Sequence, residues 1–206
     1  MASDGPTAGE RFVRGLIPEN PVYRQLLGMC PTLAVTGGME TAMTMAGAVA
    51  FVLLCANVLT SLIRNLLKPH LRILVFTLTI AAFVTIADRV LAFAMPEMSK
   101  QLGPYIPLII VNCVIICRCE VCASKQTVLV AASDAIGQSI GFGMALATIA
   151  SIREILGSGT FFGFDVLWMS LWWPKWGIMV MAPGAFLTLG LLLGLANWIG
   201  AIREKK

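Results

Sequence analysis

Charged residues are scarce in this chain. Only 13% of its 206 residues are Asp, Glu, Lys or Arg, whereas 58% are hydrophobic, and the mean hydropathy is +0.84. A single soluble domain cannot bury this much apolar surface. The shortage of charge therefore excludes a soluble globular protein and predicts a membrane protein whose surroundings are the lipid bilayer.

A secretory signal is also missing from the first residues. Residues 1–20 carry acidic and basic groups and contain neither an apolar run nor a small-residue cleavage site. We therefore expect the mature chain to keep this segment.

Apolar runs, in contrast, are plentiful. A spanning helix needs roughly 17 to 25 mostly apolar residues. The sequence predicts six spans, at 21–37, 39–63, 71–95, 104–124, 127–151 and 176–200. Pro31 interrupts the first segment, and Pro104 and Pro107 lie at the start of the fourth. Because proline removes a backbone donor and clashes with the preceding turn, these two segments are predicted to be broken or half-length helices.

The two halves of the chain repeat one order of segments. Each begins with a weak segment that contains a cysteine and continues with two long apolar ones. Because each half has an odd number of spans, three, the second half enters the membrane from the opposite side. The segments 21–95 and 104–200 are therefore predicted to be inverted repeats. The predicted fold class is an all-α polytopic membrane protein. Its single domain, 21–202, lies between a cytoplasmic segment, 1–20, and a cytoplasmic tail, 203–206.

The distribution of basic residues predicts the orientation. Short cytoplasmic loops of membrane proteins carry an excess of Lys and Arg. In this chain the N-terminal segment, the 63–70 connection, the 118–126 turn with Arg118, and the C-terminal tail are basic. Both termini are therefore predicted to face the cytoplasm.

Four cysteines crowd into NCVIICRCEVCAS, residues 112–124. On a straight helix Cys117 lies about 40° from Cys113, but Cys122 lies about 180° and Cys119 about 240° away, so four thiolates cannot converge on one metal. The Cys-x3-Cys-x-Cys-x2-Cys spacing matches neither the common zinc pattern nor the usual ferredoxin runs. Cys117, Cys119 and Cys122 are therefore predicted to pack as free thiols, as is Cys55.

The repeat selects a different pair of thiols. Cys30 lies in the first weak segment and Cys113 in the second, so the two would be symmetry mates near the middle of the bilayer. Two cysteines are half of the four-thiolate set that holds an iron–sulfur cluster. Either they pack in the core, or they bind a cluster whose other two ligands come from a second chain.

Several ionisable residues fall at predicted membrane depth, where charge is costly and often functional. Asp88, Asp134, Glu120 and Arg118 are candidates for an ion path or for tuning a cluster, and the alternative is structural pairing near an interface. Two pairs of glycines, Gly137-x3-Gly141 and Gly190-x3-Gly194, give flat helix faces for close packing within the chain or against a partner.

Four motifs carry a family resemblance. LLGMCPTLAVT (26–36), PLIIVNCVIICRCE (107–120), REILGSGTFFG (153–163) and APGAF (182–186) resemble the E-type membrane subunits of Rnf-type ion-translocating ferredoxin:NAD oxidoreductases. They also resemble the sister D-type subunits of the Na+-translocating NADH:quinone reductase. The similarity runs from Glu19 to Ile202, with the motifs in family order. One departure is Cys117-Arg118-Cys119-Glu120, where relatives usually read Gly-Arg-Ala-Glu.

The resemblance implies a specific function. Such a protein belongs to a complex of the bacterial cytoplasmic (inner) membrane that couples electron transfer to Na+ or H+ translocation. By motif, Cys30 and Cys113 would bind the iron of a [2Fe-2S] cluster shared with the A subunit, a paralogous membrane protein of inverted topology. Further implied partners are the B, C, D and G subunits, which carry iron–sulfur clusters and flavins. No nucleic-acid partner is predicted.

Two further hypotheses are open at this stage. A secondary transporter also uses inverted repeats and broken helices, but it needs a substrate cavity and has no use for matched cysteines. A purely structural component would tolerate the loss of both thiols. Nucleotide chemistry is not expected in this chain, because Gly157-x-Gly159 follows no predicted strand and the predicted cytoplasmic loops are too short for NAD or flavin.

Overall fold

The computed structural model describes residues 8–16, 19–64, 69–157, 159–161, 164–165 and 177–204. Its helices are α1 (Ala8–Leu16), α2 (Met29–Val35), α3 (Met39–Ile63), α4 (Arg72–Ala94), α5 (Pro96–Leu102), α6 (Pro107–Ile110), α7 (Cys113–Arg118), α8 (Val128–Gly157), α9 (Gly177–Val180) and α10 (Ala182–Glu204). Pro69–Leu71 and Gly103–Tyr105 are 3-10 turns, and Cys119–Ala123 is a π-helical turn. Two short strands, β1 (Thr160–Phe161) and β2 (Phe164–Asp165), pair antiparallel. The predicted all-α class is confirmed.

Three helices, α3, α4 and α8, are long and apolar enough to cross a membrane. A fourth crossing is available if the pair Pro96–Tyr105 and Pro107–Ala123, bent by 58°, counts as one span. These elements coincide with the predicted spans 39–63, 71–95, 127–151 and 104–124. The described residues thus support a multi-pass membrane protein with three to four spans.

The other two predicted spans contain shorter helices. In segment 21–37 the only described helix is α2, of seven residues, preceded by Gly28 in a left-handed conformation. In segment 176–200 the helical structure is interrupted at Met181, between α9 and α10, and the apolar part of α10 runs from Ala182 to Trp198. Helix α2 is far too short for a span, and the apolar part of α10 has only the minimum length for one, so six crossings and the inverted repeat remain predictions.

Helix α8 lies at the centre of the bundle, packed on one side by α3 and on another by α1. Its contact with α1 depends on Gly137 and Gly141. A Cβ atom on Gly137 would lie 2.6 Å from the Phe12 carbonyl oxygen, and one on Gly141 would lie 2.7 Å from the Gly15 carbonyl oxygen. This glycine face therefore serves packing within the chain. Helix α1 was not predicted from the sequence. Parts of the predicted N-terminal segment and tail, residues 1–7 and 205–206, lie outside the described residues.

One end of α8 extends beyond its predicted limit of residue 151 and buries two charged residues. Arg153 donates to the Thr36 hydroxyl over 2.6 Å and to the Met179 carbonyl over 3.0 Å. The Glu154 carboxylate accepts a hydrogen bond from the Met39 amide over 2.9 Å. These bonds tie the ends of α2, α3 and α9 to α8, which explains why the helix continues where the sequence predicts a loop.

Candidate functional site

The two cysteine motifs that the sequence analysis paired meet in the fold. The backbone N–H of Gly28 donates to the Sγ atom of Cys113, with an N–S distance of 2.8 Å. Gly28 lies two residues before Cys30, which is the second residue of α2, and Cys113 is the first residue of α7. We call Gly28, Cys30, Asn112 and Cys113 the cysteine junction.

Gly28 is required at the junction for two reasons. Its φ angle is +75°, in the left-handed region that disfavours any residue with a Cβ atom. A Cβ atom there would also lie 2.8 Å from Phe142 Cε2 and 2.8 Å from Val114 Cγ2. The close approach of the α2 segment to Cys113 therefore depends on glycine at this position.

Asn112 sets the start of α7 and hence the position of Cys113. It follows the break after α6 and is the N-cap residue of α7, where its Oδ1 atom accepts a hydrogen bond from the Val114 amide over 3.1 Å. The residue is 2% exposed, and its Nδ2 atom has no hydrogen-bond partner among the described residues. This cap restarts the helix directly at Cys113.

The junction reaches the surface of the chain through one of its two thiols. Cys30 is exposed, whereas Cys113 is partly buried. In the part of the chain that the structure describes, no group of three or more His, Cys, Asp or Glu side chains could hold a metal ion. Two sulfur donors at an open edge suit a thiophilic metal centre that takes its remaining ligands from another molecule.

The other cysteines of the 112–124 stretch are placed differently. Cys119 and Cys122 lie in the π-helical turn and are 0% and 1% exposed. The Cys119 thiol faces Asn57, with 3.4 Å between Sγ and Oδ1. Cys117 is partly buried, and all six cysteines are free thiols. The density of cysteines in the sequence thus does not correspond to one site.

Two of the four predicted ionisable candidates, Arg118 and Asp134, form a buried pair. Arg118 Nη1 lies 3.5 Å from Asp134 Oδ1 and 3.6 Å from Glu19 Oε2. Arg118 is 3% exposed and Asp134 is 1% exposed. Arg11 of α1 also attracts Asp134 electrostatically. We call these four residues the inner ion cluster; its two positive and two negative side chains balance each other.

The other two candidates lie apart from this cluster. Glu120 pairs with Arg72, with 3.1 Å between Oε1 and Nη1, and its side chain is 42% exposed. Asp88 is half-buried in α4 and forms no ion pair with any described residue. The structure therefore does not join the four candidates into one path.

The sequence analysis did not identify Gly28 and Asn112 as site residues, although each had a readable signal. A glycine directly before a short helix is a common position for a left-handed residue. An asparagine directly before an apolar helical run is a common N-cap. Asn112 is adjacent to Cys113, and Gly28 lies two residues before Cys30. In the structure both residues help to position the thiols.

Comparison with known proteins identifies the family of this chain. The Rnf-Nqr family, described as "Rnf-Nqr subunit, membrane protein", matches residues 8–193. The chain is 44% identical to the E subunit of the Na+-translocating ferredoxin:NAD+ oxidoreductase complex of Acetobacterium woodii, over 92% of this chain and 95% of that protein. It is 37% identical to the E subunit of the proton-translocating ferredoxin:NAD+ oxidoreductase complex of Clostridium ljungdahlii, over 94% and 90% of the two chains.

A second group of relatives has a different name. The chain is 40% identical to the D subunit of the Na+-translocating NADH-quinone reductase of Aeromonas salmonicida, over 86% of each chain. Both groups cover nearly the whole length of the protein, and the family match includes both cysteine motifs. The chain therefore belongs to the Rnf-Nqr family of membrane protein subunits.

Proposed function

We propose that this protein is the E subunit of an Rnf-type ferredoxin:NAD+ oxidoreductase complex that couples electron transfer to Na+ or H+ translocation. In this proposal Cys30 and Cys113 are two of the four ligands of a [2Fe-2S] cluster, and the paralogous A subunit supplies the other two. The observation that carries the proposal is the hydrogen bond from the Gly28 amide to Cys113 Sγ, because it joins the two cysteine motifs in one junction.

The residues of the junction fit such a group. An N–H donor directed at a cysteine sulfur stabilises the thiolate form that binds iron, and hydrogen bonds to sulfur are among the features that set a cluster's potential. The exposed position of Cys30 leaves room for ligands from a second chain. Since no third ligand joins the two thiols among the described residues, a complete four-ligand set requires a partner.

The chain's own residues would hold the group and keep water away from it. A bound cluster supplies one-electron transfer, with no bond made or broken in a substrate. Cys113 would be held by the Gly28 amide and by the cap at Asn112, while Val114 and Phe142 close the site on the inner side. Both of these apolar side chains are fully buried.

The charge of Arg118 would affect the cluster less than an unpaired cation at the same position would. It is the last residue of α7, about 7.5 Å along the helix axis from Cys113. Its guanidinium group is already engaged by Asp134 and Glu19. In this proposal the Gly28 amide is therefore the main donor that tunes the site, and Arg118 mainly supports the fold.

The proposal also includes a membrane topology and a set of partner subunits, beyond the three to four spans described above. The chain would cross the bacterial inner membrane six times as two inverted repeats, with α2 and α7 at the breaks of the two copies and both termini in the cytoplasm. The B, C, D and G subunits would carry the further iron–sulfur clusters and flavins. Because relatives are named for Na+ and for protons, the proposal includes either ion. The D subunit of a quinone reductase is the alternative that the 40% identical relative favours.

The test is anaerobic co-expression with the partner subunits, followed by iron analysis and EPR spectroscopy of the reduced complex. We expect Cys30→Ser and Cys113→Ser each to remove the [2Fe-2S] signal that depends on this chain, together with its iron. Cys117→Ser and Cys122→Ser are matched controls from the same stretch and should keep both. Recovery of all subunits must be equal in the four variants.

Two results would contradict the proposal. An unchanged signal in Cys30→Ser or Cys113→Ser would show that these thiols are not ligands. Loss of the signal in Cys117→Ser would move the site to the cysteine-rich stretch. The peripheral subunits that co-purify with the tagged chain distinguish the Rnf complex from the quinone reductase.

A further inference from the structure

A pocket with mainly apolar walls and several polar side chains opens on the bundle, and none of its lining residues belongs to the cysteine junction. Its volume is about 300 Å³, and its polar lining consists of Asn20, Tyr23 and Arg24 from the turn before α2, Thr148 from α8 and Asn197 from α10. Arg24 is exposed. We call this the Arg24 pocket.

The pocket lies far from both ends of the longest apolar helix. The Asn20 side chain donates to the carbonyl oxygen of Gly141 over 3.0 Å, which fixes the turn against α8. Gly141 and Thr148 are 13 and 20 residues after Val128, or about 20 and 30 Å along a helix about 45 Å long. Arg24 is therefore held at membrane depth and not in a loop outside the bilayer.

Arg24 is not compensated by the chain as described. Arg118 is buried beside two carboxylates and Arg153 is buried and hydrogen-bonded, whereas Arg24 has no acidic group within ion-pairing distance among the described residues. The Tyr23 hydroxyl beside it is enclosed, with Thr148 as its polar neighbour, and has no hydrogen-bond partner of normal geometry among the described residues. A charged side chain at this depth is costly and normally faces another polar group or a water-filled space.

A flat glycine face of α10 lies next to the pocket. A Cβ atom on Gly190 or Gly194 of α10 would meet nothing within 4 Å, in contrast to Gly137 and Gly141, which α1 covers. At 100° per residue, Gly190, Gly194 and Asn197 fall within a sector of about 60°. The open glycine face and the Arg24 pocket are therefore continuous along one side of α10.

We propose that this continuous surface is the docking site for a membrane helix of another protein of the complex, which carries a carboxylate that pairs with Arg24. The two glycines allow the backbones of the helices to approach closely, as small residues do in membrane proteins. The carboxylate on the partner would lie about 10 Å further along α10, the rise from Gly190 to Asn197. The inference rests on the proposed membership of a membrane complex but not on the proposed cluster.

A lipid phosphate is the rival occupant of the pocket. A phosphate would compensate Arg24 and accept a hydrogen bond from the exposed Asn197. It would not require an unobstructed glycine face on α10, because acyl chains adapt to larger side chains. The two occupants therefore predict different responses to a bulky residue at Gly194.

The experiment uses the complete complex, purified through an affinity tag on this chain. We expect Arg24→Glu and Gly194→Leu each to lower the recovery of at least one other membrane subunit by about tenfold or more, and Arg24→Lys to retain most of it. Lys125→Glu reverses the charge of an exposed basic residue in the turn before α8, outside the long apolar helices, and should leave recovery unchanged. Because Arg24 is exposed and Gly194 touches nothing, the variant chains themselves should be recovered in normal amounts.

A charge exchange completes the test. Replacing the partner's carboxylate by arginine should restore recovery in Arg24→Glu and identify the partner helix. If every subunit is retained in Arg24→Glu and Gly194→Leu while the phosphorus content of the bound lipid falls in Arg24→Glu, the pocket binds a lipid phosphate and the proposal is wrong. An equal loss in Lys125→Glu would also overturn it, because the effect would not be specific to this surface.

Discussion

The cysteine junction and the inner ion cluster are two polar regions within one apolar bundle, and the segment 113–118 belongs to both. Cys113 begins α7 and faces Gly28, whereas Arg118 ends the same helix and faces Asp134. The junction opens to the surface through the exposed Cys30. The ion cluster is closed, with Arg118 and Asp134 at 3% and 1% exposure.

The difference separates polar groups that serve the fold from those that, in the proposed function, bind a shared cofactor. Buried charges must be balanced, and the ion cluster balances its charges with residues from α1, α7, α8 and the turn at Glu19. The junction has two sulfurs and one amide donor but, among the described residues, no further ligand. We therefore expect mutations in the ion cluster to reduce stability and mutations in the junction to reduce cofactor binding.

The largest expected effect on stability is from Asp134→Ala. The substitution leaves Arg118 buried with only the more distant and more exposed Glu19 as a partner. Breaking a buried ion pair by removing one partner typically costs about 3–5 kcal/mol, and we expect a loss of this size in the free energy of unfolding. The measurement is thermal unfolding of the purified protein in detergent, followed by tryptophan fluorescence.

The matched control removes both charges. Arg118→Met combined with Asp134→Leu eliminates the unpaired charge and should recover most of the lost stability, because an apolar pair of similar volume is often as stable as a buried ion pair. Glu19 can then turn to water, since its side chain is 34% exposed. A double variant as unstable as Asp134→Ala would mean that the ion cluster has a role beyond charge balance.

Gly28→Ala is expected to have the next largest effect, and it acts on the junction. Alanine must adopt a φ angle near +75° and place its Cβ atom 2.8 Å from Phe142 and Val114. Such strain costs about 1–3 kcal/mol, and relieving it moves the amide away from Cys113. We expect both a lower unfolding temperature and a lower iron content of the co-purified complex.

Gly47→Ala is the control for this prediction. Gly47 lies within α3, and a Cβ atom there would meet nothing within 4 Å. Alanine is favoured over glycine in a helix by about 0.5–1 kcal/mol, so this variant should be as stable as the original protein or slightly more stable. If Gly28→Ala behaved like Gly47→Ala and kept its iron, the Gly28 amide would not be needed at the junction.

The long helices could be predicted because they depend on local signals. Apolar runs of sufficient length predicted α3 and α4 to within one residue and the start of α8, which continues six residues past its predicted end. The matching positions of Cys30 and Cys113 selected two motifs that the fold brings together through the Gly28 amide and Cys113 Sγ, and the role of the two thiols as ligands stays a prediction.

The ion pairs and α1 could not be predicted, because they depend on contacts between distant segments. Arg118 was counted among the basic loop residues, yet it is buried because Asp134 and Glu19 reach it from other elements. Helix α1 contains charged residues and was assigned to a cytoplasmic segment, yet it packs on α8 where Gly137 leaves space for Phe12. Single-sequence patterns do not show which charges meet in three dimensions.

The smallest expected effect is from Cys119→Ala, which tests whether the thiols beyond Cys113 only pack. The change removes a buried sulfur and its weak hydrogen bond to Asn57, for an expected cost of about 1 kcal/mol or less in the free energy of unfolding. Iron content and the EPR signal should not change, in contrast to Cys113→Ser. A loss of iron in Cys119→Ala would show that the π-helical turn takes part in the site, and the separation between the junction and the buried thiols would then be wrong.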